Sequence, residues 1–259
     1  MARKIIDLHT HLGISSTLQV GGSAENVLRI LDNNGIDQAI ISPIPGYEDP
    51  NGVQDSVAQN DNIAAALKRW PDRFPRGFGV VEPRHGKAAL PEVDRILGEL
   101  GLVGLMFHND FNGMTLDSPA MFNILERASG YKNVIIQAHV THMTVLEPHF
   151  MLGKLAKAFP EITFIAAHPF MDMTALQAAI ELGRNHPNIY FDTCISLHHL
   201  SPMEKAVAGI GEDRIMFGSD CPYFEFCFDI GKIEHAVLSD EVKNKIFSGN
   251  AARLFRLED

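Results

Sequence analysis

Histidine and aspartate stand at the ends of several apolar runs in this chain. The first run reads Ile5-Ile6-Asp7-Leu8-His9-Thr10-His11, and strand side chains alternate, so Asp7, His9 and His11 are expected to share a face. Two imidazoles then point at one place. His139 closes the run from Val134, His168 closes the run from Ile162, and Asp220 closes Ile215-Met216-Phe217-Gly218-Ser219-Asp220. A His-x-His pair alone is a weak signal, because two imidazoles are easily satisfied by ordinary hydrogen bonds. Three further polar groups at the same place in three other runs change that reading. Burying so many polar side chains requires partners, and one divalent cation satisfies them together. Such an ion lowers the pKa of the water it binds from about 15.7 toward about 7, which makes attack on a carbonyl, imine or activated double bond feasible at neutral pH.

The elements that must position these groups are short β-rich runs beginning near Ile5, Ala39, Gly77, Leu102, Val134, Ile162, Ile189 and Ile215. Each is followed by a segment with helical spacing. Val27, Leu28 and Leu31 form one stripe, as do Ile63, Ala64 and Leu67, the set from Leu90 to Leu100, the set Leu152, Leu155 and Phe159, and the set Leu176, Ala179 and Ile180. Ser118-Pro119 and Ser201-Pro202 read as N-caps followed by proline at the first helical position, with Glu204 completing a capping box, and Asp172 reads as a further cap. Continuous apolar strands alternating with helices demand a parallel sheet covered on both faces. Eight uninterrupted units predict an α/β chain closed into a single (β/α)8 TIM barrel, one domain over residues 1–259; an open doubly wound sheet is the alternative. His9, His11, His139, His168 and Asp220 then lie at the carboxyl ends of their strands, the face on which barrels build active sites. The stretch from Ile44 to Gln59, rich in proline, glycine and asparagine or aspartate, is expected to be a mobile loop.

Composition narrows the setting. The 259 residues carry 46% apolar and 21% charged side chains, enough to bury a sizeable core. A net charge of −10 without a lysine or arginine cluster argues against nucleic acid or an anionic membrane as partner, leaving a small molecule as the expected one and a homodimer as an option. No apolar run is long enough to span a bilayer, and Met1 to Leu12 lacks a signal-peptide stretch. The 3 cysteines cannot form a fully paired disulfide framework, which fits a reducing cytoplasm.

The chain resembles the amidohydrolase superfamily, in particular its small amidohydrolase-related branch, which includes aminocarboxymuconate-semialdehyde decarboxylase and related decarboxylases and hydratases. The resemblance rests on Asp7-Leu8-His9-Thr10-His11, Gln137-Ala138-His139, Ala167-His168, Phe191-Asp192-Thr193, Phe217-Gly218-Ser219-Asp220-Cys221-Pro222 and the terminal Gly249-Asn250-Ala251-Ala252-Arg253-Leu254-Phe255. It implies His9, His11, His139 and Asp220 as metal ligands and His168 as the group holding the reacting water or substrate, making Asp220 and His168 the catalytic pair. Members with two metals use a carboxylated lysine at the end of the fourth strand, where this chain has Leu105-Met106-Phe107-His108, so one divalent ion is expected. Imidazoles plus a carboxylate suit zinc best, with manganese or iron also compatible.

Other residues are candidates by position. His108 and His142 are expected at the substrate, Arg84 with His85 is placed to grip a substrate carboxylate through its fork, and His198 follows the seventh strand on the same face. Asp7 is expected to support a ligand from below. His149, His186 and His235 fall in helical segments and read as structural, and Cys221 reads as packing. The first reading of function is a metal-dependent hydrolase acting on an amide, cyclic amide, ester or lactone. Non-oxidative decarboxylation, or hydration, of an unsaturated or aromatic acid is the alternative. A catalytically silent metal- or ligand-binding barrel is a third reading, against which the presence of both Asp220 and His168 argues.

Overall fold

The computed structural model describes residues 3–195 and 202–257. Among the described residues nine strands form one sheet: β1 (Ile6–Ser15), β2 (Val20–Gly22), β3 (Gln38–Pro43), β4 (Arg76–Gly79), β5 (Gly104–Phe107), β6 (Ile135–His139), β7 (Thr163–Ala167), β8 (Ile189–Asp192) and β9 (Ile215–Met216). All neighbouring pairs are parallel except β1 with β2, which form a small antiparallel hairpin that the apolar pattern did not reveal. The eight parallel strands start within two residues of the expected positions. The sheet curls, and its two ends meet: Leu8 N–H donates to Phe217 O at 3.0 Å, Asp220 N–H to His9 O at 2.9 Å and His11 N–H to Cys221 O at 2.7 Å. Asp220 is thereby laid beside the His9/His11 pair.

The apolar strands serve two layers. Ile6, Leu8, Ile40, Phe78, Met106 and Ile165 pack inside the curl, where Phe255 of the last helix, α11 (Asn250–Phe255), closes one end. A larger core lies between the sheet and the helices that cross over it. Among these are α1 (Ala24–Asn33), α2 (Val53–Arg69), α3 (Leu90–Asp94), α4 (Asn109–Asn112), α5 (Pro119–Ser129), α6 (His149–Ala158), α7 (Met173–Asn185), α8 (Pro202–Ile210), α9 (Phe226–Glu234) and α10 (Asp240–Asn244). The caps form as their side chains dictate: Ser118 Oγ accepts from Met121 N–H and Asp172 Oδ1 from Ala175 N–H. Ser201 lies outside the described residues.

The stretch from Ile44 to Gln59 is only in part a loop. Helix α2 begins at Val53, with Asp55 accepting from the Asn51 N–H in the turn before it, so residues 53–59 are helical, with Gln54 exposed and Ser56 buried, rather than part of the expected loop. Among the described residues no helix is long and apolar enough to cross a membrane.

One glycine tests the sheet itself. A Cβ at Gly104 would lie 1.6 Å from the carbonyl oxygen of Ile135 on the neighbouring strand, so β5 and β6 sit closer there than any other residue permits. Gly104→Ala is expected to destabilise the fold by about 3 kcal/mol or more and to lower Tm by roughly 6 to 12 °C in thermal unfolding. An unchanged Tm would mean that the strands separate freely at this point.

Candidate metal centre

His9, His11, His139 and Asp220 are all buried, and one donor atom from each lies within 4.8 Å of all the others. Hydrogen bonding on the far side of each ring determines what faces this centre. His139 Nδ1 stands 2.8 Å from the carbonyl oxygen of Phe107, which can only accept, so Nδ1 carries the proton and Nε2 presents a lone pair. His11 Nδ1 lies 2.8 Å from Ser42 Oγ and 3.2 Å from Pro43 O, with the same consequence. His9 Nδ1 lies 2.6 Å from Asp192 Oδ2 and donates to that carboxylate. Three Nε2 lone pairs therefore converge, those of His9 and His11 only 3.1 Å apart, with Asp220 Oδ1 at 3.1 Å from His11 Nε2 and 3.5 Å from His9 Nε2.

Lone pairs facing one another in a buried site repel, and among the described residues buried His139 Nε2 has no hydrogen-bond partner. A divalent cation removes both costs. The donor set, imidazole nitrogens and one carboxylate with oriented rings, fits such an ion. Electrostatics agree: burial, followed by the neighbouring imidazoles, pushes His9 and His139 well below the ordinary histidine range, and burial takes His11 down to about 3, so the rings are neutral donors.

His168 and Asp220 share a backbone peculiarity. Both have left-handed φ, +60° and +61°, a conformation that costs a non-glycine residue about 1 kcal/mol or more and persists when the surroundings enforce it. His168 N–H is held by Asp192 Oδ1 at 3.1 Å, and Asp220 N–H by His9 O. The result puts His168 Nε2 3.4 Å from Asp220 Oδ2, with the His168 ring stacked on that of His9 at 5.1 Å. Asp220 thus turns Oδ1 to the His9/His11 edge and Oδ2 to His168. Burial lowers His168 and raises Asp220 well above the usual carboxyl range.

Beside this centre lies a cavity of about 200 Å³, reached by His108, His139, His168 and Asp220 and walled by Leu18, Pro45, Phe111, Ile195, Tyr223 and Phe224. Of the residues expected at a substrate, His108 is here: its ring stacks on His139 at 4.1 Å, and its Nδ1 stands 3.1 Å from the buried carboxylate of Glu147.

Arg84, in contrast, is not brought to the centre. Its guanidinium is taken by Glu82 at 2.9 Å and Asp49 at 3.2 Å, and it is half exposed, because Glu82 two residues earlier captures it locally. His85 turns to the same Asp49 at 3.5 Å. Accordingly Arg84→Met is expected to change kcat/KM by less than about threefold for acidic and neutral substrates alike, as for a pair open to solvent. A tenfold loss confined to acidic substrates would overturn this. His142 likewise pairs with Asp172 at 2.9 Å on the surface rather than lining the cavity. His198 lies outside the described residues.

Asp7 does not share the face of His9. Ile6 and Leu8 both point into the inner layer, which sends Asp7 the other way, and a register shift between Asp7 and Thr10 returns His9 and His11 to the inside. Asp7 instead accepts from His9 N–H at 2.9 Å, Thr10 Oγ1 at 2.8 Å and Ser219 Oγ at 2.5 Å, tying β1 to the segment after β9. Burial raises its carboxyl to about 7 despite those bonds.

Asp7 thus supports His9 through its main chain, and the His9 ring is met by Asp192. It is fully buried and holds the His9 ring, the His168 main chain and, at 3.1 Å, the Cys194 thiol. The signal was present, since Asp192 closes the run from Ile189 as Asp220 closes the run from Ile215.

With this geometry in hand, the amidohydrolase family model matches residues 6–257. The chain belongs to the amidohydrolase family. A 2-amino-3-carboxymuconate-6-semialdehyde decarboxylase from Dictyostelium discoideum is 33% identical over 102 residues, which cover 37% of this chain but only 28% of that protein. A gamma-resorcylate decarboxylase from Polaromonas sp. (strain JS666 / ATCC BAA-500) is 22% identical over 89% of this chain and 86% of its own length. A dihydroxybenzoic acid decarboxylase from Polaromonas sp. JS666, solved with bound manganese and the inhibitor 2-nitroresorcinol, superposes with a TM-score of 0.74 at 19% identity, covering 99% of this chain and 98% of that one. That likeness shows a common fold. These relatives are decarboxylases, which favours the alternative reading of the sequence over hydrolysis.

Proposed function

We propose that this chain is a metal-dependent, non-oxidative decarboxylase of an unsaturated or aromatic carboxylic acid, built as a closed (β/α)8 barrel. The observation that carries it is the convergence of three imidazole lone pairs and the Asp220 carboxylate on one buried point beside an apolar-walled cavity. Apolar walls such as Phe111 and Tyr223 suit the ring or unsaturated chain of such an acid. The curated relatives named as decarboxylases support the same choice.

His9, His11, His139 and Asp220 would hold one divalent ion, zinc by donor softness or manganese as in the solved neighbour. When bound, that ion supplies Lewis-acid polarisation of substrate oxygens. The chain's own groups do the rest. The cavity walls orient the ring. Replacing a carboxylate by hydrogen requires one proton at the carbon that loses carbon dioxide, and Asp220 is placed to deliver it from Oδ2, the oxygen turned to His168 and the cavity while Oδ1 faces His9 and His11. His168, neutral and 3.4 Å from Oδ2, steers that proton and meets the carboxylate that leaves.

The test is release of carbon dioxide from a panel of hydroxybenzoic and unsaturated acids, beside lactones and amides, after reconstitution with manganese or zinc. Turnover of an acid with about one equivalent of metal per chain is the expected result. Hydrolysis of a lactone or amide with no carbon dioxide from any acid would overturn the proposal, and two equivalents would overturn the single-ion part.

A further inference from the structure

We infer that the cavity selects an acid with a single negative charge and about one ring, and that Phe111 is the residue that sets this size limit. The inference rests on the decarboxylase reading for the reaction, but not for what the cavity admits. A space of about 200 Å³ is of the order that holds one six-membered ring, since a dry cavity of about 150 Å³ takes up benzene.

Charge is limited by what surrounds that space. None of the described lining residues is lysine or arginine. Arg84 is consumed by Glu82 and Asp49. Lys232 donates to Thr193 O and to Asp229 Oδ1 at 2.5 Å. One carboxylate has the metal centre and His168 to meet it, whereas a second turned toward Pro45, Phe111 and Tyr223 would lose its water with no lysine or arginine in return.

Size is limited at a particular wall. A second recess of about 30 Å³, reached by Tyr47, Val80, Met106 and Asn112, shares Pro45, His108 and Phe111 with the main cavity. The Phe111 ring stands between the two. It sits on Gly46, where an added Cβ would come within 2.7 Å of the ring, and meets His108 edge to face at 4.6 Å. Its backbone is fixed by the Phe111 N–H to His108 O bond of 3.1 Å. Removing the ring joins the two spaces without touching His9, His11, His139 or Asp220.

The test compares the metal-loaded parent with Phe111→Ala and Phe111→Leu, the latter keeping enough bulk to fold if the former does not. Substrates are a dihydroxybenzoic acid, a hydroxynaphthoic acid and a hydroxyisophthalic acid; binding is read separately from turnover by thermal shift with 2-nitroresorcinol and a nitronaphthol. The parent is expected to favour the one-ring monoacid at least tenfold over both others, and Phe111→Ala to raise the naphthoic to benzoic ratio of kcat/KM at least tenfold, with Phe111→Leu between. Equal use of the isophthalic acid by the parent would overturn the charge limit. An unchanged size ratio in both variants would overturn the role of Phe111. Should no acid lose carbon dioxide while the nitro compounds keep the predicted order of binding, the decarboxylase proposal falls and this inference stands.

Discussion

Asp220→Asn is expected to lower kcat by roughly 10³-fold or more while leaving the fold in place. Asparagine has the same size, and at φ +61° it is among the few residues that adopt the left-handed conformation as readily as aspartate, so the Asp220 N–H bond to His9 O should persist. Its amide oxygen can take the place of Oδ1 beside His9 and His11. The amide nitrogen then occupies the Oδ2 position facing His168, where it holds hydrogens that it cannot give to carbon. The reaction loses its proton, not its cavity. Circular dichroism and thermal unfolding compared at equal metal occupancy should match the parent, and single-turnover kinetics at saturating metal should show the loss in the chemical step. Retention of more than about a tenth of parental kcat would remove Asp220 from the proton path and return that role to His168.

Much of this arrangement was legible because it depends on local rules. A strand buried on both faces must be apolar along its length, so the eight parallel strands stood out, and a polar residue at the end of such a run has few reasons to be there except chemistry. His139 and Asp220 were found in that way. What escaped depends on contacts distant in sequence or on a local break in alternation. The bulge in β1 exchanged the faces of Asp7 and His9, and alternation cannot foresee it. Arg84 looked free because alternation does not foresee that Glu82, two residues earlier, turns back to it, and Asp49, 35 residues earlier, is brought to it only by the fold. His142 meets Asp172, a helix cap whose second oxygen was available. Phe111 stands on the short helix α4, whose placement against Gly46 no periodicity encodes.

Asp192→Asn is expected to weaken metal binding by about 10- to 100-fold and to lower activity with it, through a change of tautomer rather than of shape. Oδ1 of Asp192 accepts from both His168 N–H and the Cys194 thiol, each at 3.1 Å, so that position must remain an oxygen. The new amide nitrogen therefore falls at Oδ2, 2.6 Å from His9 Nδ1, and donates to it. Nδ1 then becomes an acceptor and the ring proton moves to Nε2, where it points at His11 Nε2 and Asp220 Oδ1 and blocks the lone pair that faces the centre. Asp192→Ala loses the same orientation and in addition leaves the buried His168 N–H without a partner, a cost of about 1 to 3 kcal/mol in stability that the asparagine variant avoids. The two effects separate in measurement. Competition with a chelator reads the metal affinity, and added metal should restore part of the activity of Asp192→Asn, which it cannot do for Asp220→Asn. Metal affinity within threefold of the parent would show that the His9 ring is oriented by something other than Asp192.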